Sequence, residues 1–422
     1  MLAGGWPWYP ACRMSDHTVI IGAGQAAAQL VTSLRQEGYA GRLSVMGEEP
    51  HPPYQRPPLS KAYLSGELPA DRLFLKPDAF WEASECHLML KARVTKVDLS
   101  QQHVAYDHGD GRSFDPVPFD RLVFATGSRV RTLPIPGATL PGVHYLRGIA
   151  DVDGLRPRLT KGKRLVIVGA GYIGLEVAAV AQKLGLTVTV VELAERPLAR
   201  VATAPLSAFY AAEHARHGVK ILTGTAVSGI KAQAHHTLSI ETNLGSLPAD
   251  TVLIGAGILP NVELAQEAGI TCHNGIVVDE FGRTSAPNVY AAGDCANLSC
   301  PYVPHRLRLE SVQNAIDQAK HVALAIAGKP KPYGEVPWFW SDQYDLKLQI
   351  AGVTLAGDQI VVRGDMDTRS FAVFALRQGV VVAVEAVNAA PEYMMGRKLI
   401  AARARIEPDR LADRAIPMKE ML

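Results

Sequence analysis

The chain has few cysteines and no Cys-x-x-Cys pair. Cys12, Cys86, Cys272, Cys295 and Cys300 show no zinc-like spacing, so a zinc site is excluded and the thiols read as bystanders in a reducing cytoplasm. Long apolar runs are also missing, which leaves no membrane-spanning helix. Charge of one sign is not in excess, and a formal net charge of +2 argues against a general nucleic-acid binder. The opening MLAGGWPWYPACR lacks a basic start followed by an apolar stretch, so it does not read as an export signal. Residues 1–13 are expected to form a flexible extension, with Met14 as an alternative start. What remains is ordinary globular composition, 48% apolar and 20% charged, in 422 residues that can hold two to three domains.

Two glycine-rich turns dominate what is present. Gly22-Ala23-Gly24-Gln25-Ala26-Ala27 follows the apolar run Thr18–Ile21, and Gly169-Ala170-Gly171-Tyr172-Ile173-Gly174 follows Leu165–Val168. Each reads as a buried strand, a tight turn and a helix start, where backbone N–H groups and the positive helix end can receive a pyrophosphate. One such motif is weak evidence. A second copy, with an acid at the next strand end in both, is strong. Glu48 follows Leu43–Gly47 and Glu192 follows Val188–Val191, and in such units the acid accepts hydrogen bonds from the adenosine ribose. Two dinucleotides on one chain imply that one delivers electrons and the other stays bound to receive them.

The rest of the chain organises around these units. A helix is expected from Gln25 to Glu37, then a proline-dense loop, His51–Pro58, then a helix from Leu59 to Leu64 carrying Lys61. Leu122–Gly127 and Val252–Gly257 each read as a strand ending in a small-residue turn that closes a unit, which predicts one nucleotide domain inserted into the other. Asn288–Asp294 returns the chain to the first. From about Pro332, strand-like runs take over, ending in Val380–Val387, a β-branched run broken by Glu385; a helical tail follows from Pro391 to Arg405. The expected fold is α/β, with two Rossmann-like domains and a C-terminal α+β domain. Expected boundaries are 14–127 with 255–328, 128–254, and 329–422.

At these motifs the sequence resembles the flavoprotein ferredoxin reductases of bacterial oxygenase systems. The resemblance rests on Tyr54–Lys61 (YQRPPLSK), Ala125-Thr126-Gly127, Gly293-Asp294-Cys295, Arg308–Ala315 (RLESVQNA) and Pro337–Tyr344 (PWFWSDQY). It implies a glutathione-reductase-like fold with FAD on the first unit and NADH on the second. FAD would then lie against Gly22, Gly24 and Ala27, with Glu48 on its ribose and Val94, Thr126, Gly127, Arg147, Gly293, Asp294 and Val312 as further contacts. NADH would meet Gly169, Gly171, Tyr172, Ile173, Gly174, Glu192, Gly257 and Ile258. Lys61 beside the flavin, paired with Glu176, and Trp340 at the flavin edge complete the implied catalytic set, with Trp338 nearby.

The resemblance also implies a partner, a [2Fe–2S] ferredoxin, and an enzyme that is a monomer or a weak dimer. NADH gives two electrons together and an iron–sulfur cluster takes one at a time, which FAD reconciles without a nucleophile or general acid. Glu192 favours NADH because a carboxylate repels a 2′-phosphate, while Arg196 and Arg200 nearby leave room for NADPH. Acidic ferredoxins would dock on a basic face drawn from Arg306, Arg308, Arg363, Arg397, Lys398, Arg403 and Arg405. Three other readings share the motifs: a rubredoxin reductase, an NADH oxidase or peroxidase, and an NADH-sensing flavoprotein that acts through a partner. Oxidases and disulfide reductases normally carry a redox cysteine near the flavin, and Pro57–Leu64 has none.

Overall fold

A computed structural model describes residues 16–109 and 114–421. The extension expected over 1–13 lies outside the described residues. Both fingerprint strands are the central strands of parallel sheets. The first sheet runs in the order Val289–Ala291, Arg121–Phe124, His17–Ile21, Arg42–Gly47, Cys86–Leu90. The second runs Lys220–Leu222, Thr187–Val191, Arg164–Val168, Thr251–Ile254, Val143–His144. The central runs Val19–Ile21 and Leu165–Val168 are buried and continuously apolar, as strands covered on both faces are. The expected α/β class with two Rossmann-like units and an α+β C-terminal unit is the architecture observed.

Small residues bring helix and sheet together at the first turn. The helix Gln25–Gln36 buries Ala26, Ala27, Ala28, Leu30, Val31 and Leu34, and packs along the helix Val312–Ile326. Gly22 has a φ of +107°, and a Cβ there would stand 2.2 Å from the Ala125 carbonyl oxygen. Gly169 repeats this with a φ of +108° and a Cβ 2.4 Å from the Gly255 carbonyl oxygen. No side chain of any kind fits either position.

The chain leaves the first unit and returns to it at one point. Ser128–Val130 pairs antiparallel with Ile258–Pro260, and Arg131 N donates to Gly257 O at 2.9 Å. Asn261 locks this crossing: Thr126 Oγ1 donates to its carbonyl at 2.7 Å, and its own Nδ2 donates to Thr126 O at 2.9 Å.

The C-terminal sheet is antiparallel, in the order Trp338–Gln343, Leu346–Gly352, Val380–Val387, Ser370–Arg377, Gln359–Asp365, followed by the helix Ala390–Ala401. Its edge strand Trp338–Gln343 packs against two helices, the second fingerprint helix Tyr172–Lys183 and the helix Val312–Ile326. That placement brings the third unit to the junction of the other two.

Candidate functional site

The two acids do not occupy equivalent positions. Ile21 pairs with Met46, and Gly22 N donates to Met46 O at 2.8 Å. In the second unit Val168 pairs with Val191, and Gly169 N donates to Val191 O at 2.7 Å. Glu192 therefore aligns with Gly47, and Glu48 lies one residue further on. A Cβ on Gly47 would stand 2.5 Å from the Ala23 methyl. Glu48 is exposed at the strand end. Glu192 instead receives Ala170 N at 2.7 Å and Ala194 N at 2.8 Å, one on each carboxylate oxygen. Each oxygen keeps a second lone pair for a ligand.

Both glycine turns, the first and the second cradle, open onto free space at a helix N-terminus. Beyond Gly24, at the N-terminus of Gln25–Gln36, a Cβ would meet nothing within 4 Å, and no side chain caps this helix. Gly171 is equally open and its helix equally uncapped. The first N–H groups of each helix thus face free space. Gly293 closes on the first cradle, where a Cβ would stand 3.4 Å from the Ala26 methyl and 3.7 Å from that of Ala315, and its N–H donates to Gln318 Oε1 at 2.7 Å. Val312 starts the neighbouring helix, half-buried beside the Ser311 cap. The Val94 side chain belongs to the core with Met46 and Met89, which leaves its backbone for any ligand.

Polar groups gather at the C-terminal end of Arg121–Phe124. Asp294 Oδ2 accepts from Ser128 Oγ at 2.8 Å and from Arg147 Nη2 at 3.2 Å, while Arg147 Nε donates to Ser128 O at 2.9 Å. A Cβ on Gly127 would stand 3.7 Å from Arg147 Nη2. The hydroxyl of Thr126 is taken up by Asn261, so this residue ties the crossing together. Arg56 joins the group, donating to Arg147 O at 2.7 Å, Tyr54 Oη at 3.0 Å and Glu49 Oε1 at 2.6 Å. Burial works against the Glu49 charge, but Arg56 and the Tyr54 hydroxyl hold its carboxyl below the usual range.

Lys61 is not on a continuous helix. A 3₁₀ turn, Pro57–Ser60, ends at Lys61, whose φ of −129° and ψ of −114° separate it from the helical turn Ala62–Ser65. Lys61 N donates to Pro58 O at 3.0 Å, an i to i−3 bond that closes the 3₁₀ turn in place of an α-turn. The break aims the ammonium at the second fingerprint helix. Lys61 Nζ lies 2.7 Å from Glu176 Oε2, and Glu176 is 2% exposed. Ser60 Oγ donates to the same oxygen, and Ser341 Oγ donates to Oε1 at 2.6 Å. One carboxylate thus joins the first unit, the second and the C-terminal sheet.

Alternation along Trp338–Gln343 does the rest. Phe339 and Ser341 face the second fingerprint helix, with Phe339 against Tyr172 at 4.6 Å between ring centroids. Trp338 and Trp340 take the opposite face, 5.6 Å apart, both half-buried. Arg397 lies over the Trp338 ring at 5.4 Å. Gly257, with a φ of +95°, and Ile258 border the second cradle, and Arg200 Nη2 would stand 3.4 Å from a Cβ on Gly257. Ile173 is exposed at the start of its helix.

These features have counterparts in known proteins. The model for the pyridine nucleotide-disulphide oxidoreductase family matches residues 16–319, and the reductase C-terminal family matches 338–422. The chain belongs to the pyridine nucleotide-disulphide oxidoreductases. Rhodocoxin reductase of Rhodococcus erythropolis is 42% identical over 402 residues, 95% of this chain and 93% of that protein. Putidaredoxin reductase of Pseudomonas putida is 40% identical over 415 residues, 97% of each chain. The reductase in a covalent putidaredoxin reductase–putidaredoxin complex superposes with a TM-score of 0.92 at 38% identity, covering 96% of this chain and 98% of that one. The resemblance to ferredoxin reductases of oxygenase systems therefore holds, and this oxidoreductase is FAD-dependent and uses a pyridine nucleotide.

Despite the family's name, the described residues of the oxidoreductase offer no redox dithiol. Cys86, Cys272, Cys295 and Cys300 are all free. Burial pushes each thiol up, Cys86 to about 12, so none is a ready thiolate. No described helix is long and apolar enough to cross a membrane.

The expected basic face needs correction. Arg306 donates inward to Val278 O and, at 2.7 Å, to Asn297 O. Arg308 is 9% exposed and paired with Glu310 at 2.6 Å. Arg363 is 4% exposed and staples Leu411 O, Asp413 O and Ile416 O at 3.1, 2.6 and 2.8 Å. Arg306 and Arg363 satisfy backbone carbonyls and Arg308 a carboxylate, uses of arginine that composition alone cannot separate from a surface charge. Lys398, Arg403 and Arg405 are exposed, and Arg397 is half-buried against Trp338.

Proposed function

We propose that the enzyme takes electrons from NADH on the second cradle, passes them through FAD on the first, and delivers them to a [2Fe–2S] ferredoxin of an oxygenase system. The carrying observation is the Lys61–Glu176–Ser341 cluster, which lies where the two nucleotide units meet the tryptophan strand. Bound FAD supplies the chemistry that a two-electron donor and a one-electron acceptor need between them. The first unit fits it: Gly22, Gly24 and Ala27 shape the pyrophosphate turn, Glu48 is free for the ribose, and Arg147 and Asp294 line the path from there to Lys61. Lys61 sets a positive charge at the junction and orients the nicotinamide, while Glu176 holds that ammonium in place. Trp340 covers the side away from NADH. Cytoplasmic location and a monomer or weak dimer fit this role.

Anaerobic titration with NADH, followed by a panel of [2Fe–2S] ferredoxins, tests the reading. Loss of the flavin band with NADH and rapid recovery with a ferredoxin are expected. Recovery only with oxygen, every ferredoxin being inert, would make the protein an oxidase instead.

Two site-specific results follow from the geometry. Glu192→Arg removes both the ribose acceptor and the partner of Ala170 N and Ala194 N. The ratio of kcat/KM for NADH over NADPH should fall about tenfold or more. An unchanged ratio would mean the ribose is read elsewhere. The second concerns docking, for which Arg397 over the Trp338 ring and the exposed Lys398 next to it in sequence are the charges we choose. Reversing both to glutamate should raise the KM for an acidic ferredoxin about tenfold at low salt, with the difference shrinking as salt is added. A KM that does not move would put the docking face elsewhere.

A further inference from the structure

The strand Val380–Val387 carries one carboxylate, Glu385, in the middle of the C-terminal sheet, between Ile350 and Val373. It is 2% exposed. Its face of the sheet, with Leu348, Phe371, Val373 and Val387, packs on the helix Ala204–Arg216 through Leu206, Phe209 and Tyr210. A carboxylate buried in such a face is costly, and an apolar side chain of similar volume would suit the packing better. Packing therefore does not explain it.

What Glu385 touches does. Thr203 N donates to its two oxygens at 2.9 and 3.2 Å, and Thr203 Oγ1 donates to Oε2. Thr203 ends the loop 193–203 and is the N-cap residue of the helix Ala204–Arg216, whose Ser207 Oγ donates to Pro197 O. Gly224 N donates to Ala194 O at 2.9 Å, and the remaining anchors belong to the second cradle. Leu198 N donates to Ala170 O at 2.9 Å, with Leu198 held at a φ of +55°. Tyr172 Oη donates to Val201 O at 3.2 Å. Arg196 fastens the loop on itself, donating to Ala202 O, Thr203 O and Ala199 O at 2.9, 3.4 and 3.1 Å. Between these ties Arg200 and Val201 stand exposed at the lip of the cleft, with Arg200 directed at Gly257. One end of the lip is thus held by the glycine turn and the other by the C-terminal sheet.

We propose that Glu385 is a positioning residue for nicotinamide-nucleotide binding, acting through Thr203 to hold the loop 193–203 against the second cradle. This rests on the NADH reading given above. A left-handed leucine stays in place only when its surroundings over-determine it, and Thr203–Glu385 is the side-chain tie at the end of the loop that enters the helix Ala204–Arg216. Without it the loop has more conformations to lose when the nucleotide binds, and affinity falls by that entropy.

The test uses the purified flavin-loaded enzyme. NAD+ binding to the oxidised protein is measured by calorimetry, and KM and kcat for NADH with ferricyanide as acceptor. Glu385→Leu should weaken NAD+ binding about tenfold and raise KM for NADH by a similar factor, with flavin content retained and kcat within about twofold. Glu385→Gln keeps an oxygen for Thr203 N–H and should restore most of the affinity. Thr203→Val, in case the leucine variant misfolds, should show a smaller loss in the same direction. Combined with Glu385→Leu it should add little. Wild-type NAD+ affinity in both Glu385→Leu and Thr203→Val would overturn this inference alone. A wild-type enzyme that binds no NAD+ would overturn the NADH reading and this inference with it.

Discussion

Lys61→Ala should leave FAD bound while slowing reduction of the flavin by NADH about a hundredfold, the usual scale for removing one pre-aimed charge. Lys61 does not hold the fold together at this point. Its backbone N–H donates to Pro58 O at 3.0 Å whatever the side chain, and its side chain is 21% exposed. The substitution would leave Glu176 buried against two serine hydroxyls with no cation, so its ionised form becomes costly. Two deficits then coincide: no positive charge at the junction, and a buried carboxylate left without its cation. Glu176→Gln separates them. It accepts from one of Ser60 and Ser341 and donates to the other, leaves Lys61 mobile, and should slow reduction less than Lys61→Ala does. Single-turnover mixing with NADH, read in the flavin band, checks both. A Lys61→Ala rate within twofold of wild type would remove Lys61 from the mechanism.

Gly22→Ala and Gly24→Ala should differ in kind, though each adds one methyl group two residues apart. At Gly22 the new Cβ would lie 2.2 Å from Ala125 O and 2.6 Å from Ala125 C, backbone atoms of a buried strand end that cannot withdraw. The φ of +107° adds strain of its own. Together these should cost at least about 3 kcal/mol and lower the melting temperature even without flavin. Gly24 has an ordinary φ of −113° and open space where its Cβ would go. Its alanine variant should fold like wild type yet copurify with much less FAD, since the methyl enters the space read here as the pyrophosphate seat. Flavin-to-protein ratio and melting temperature of the two apoproteins decide the matter. Full flavin content in Gly24→Ala would move the dinucleotide away from this turn.

The sequence carries the fold well because the deciding signals are short-range. A strand, a glycine turn and a small-residue helix start sit within ten residues of one another, and two copies of that pattern place both sheets. The site is less legible where it depends on register or on distant partners. The offset between Glu48 and Glu192 appears only in the strand register, Ile21 against Met46 and Val168 against Val191, which spacing does not encode. Ser60 and Ser341 reach Glu176 across 116 and 165 residues of chain. Ser60 adjoins Lys61 and Ser341 adjoins Trp340, so the motifs held them without giving a reason to choose them. Asn261 had no signal beyond following a proline. Arg56 lies inside the run Tyr54–Lys61, where nothing in the sequence separates its role from that of the lysine. Arginines mislead for the opposite reason: Arg308 and Arg363 read as surface charge, and each is buried against carbonyls or a carboxylate.

One hydrophobic cluster runs through all three units. Tyr54, Leu59, Tyr63, Leu64 and Leu73 from the first pack with Leu165, Ile167 and Leu175 of the second and with Leu346, Phe371 and Val387 of the third. Each such side chain contributes about 1.5–3 kcal/mol by its burial, so parting any unit from the others forfeits a large share of the total. Topology alone would allow the inserted unit to be cut out at the Arg131–Gly257 crossing and grafted elsewhere. Energetics forbids it: the excised piece and the remainder would each expose half of a shared core. The molecule should therefore melt as a single cooperative unit, and a truncation that respects every motif boundary should still aggregate.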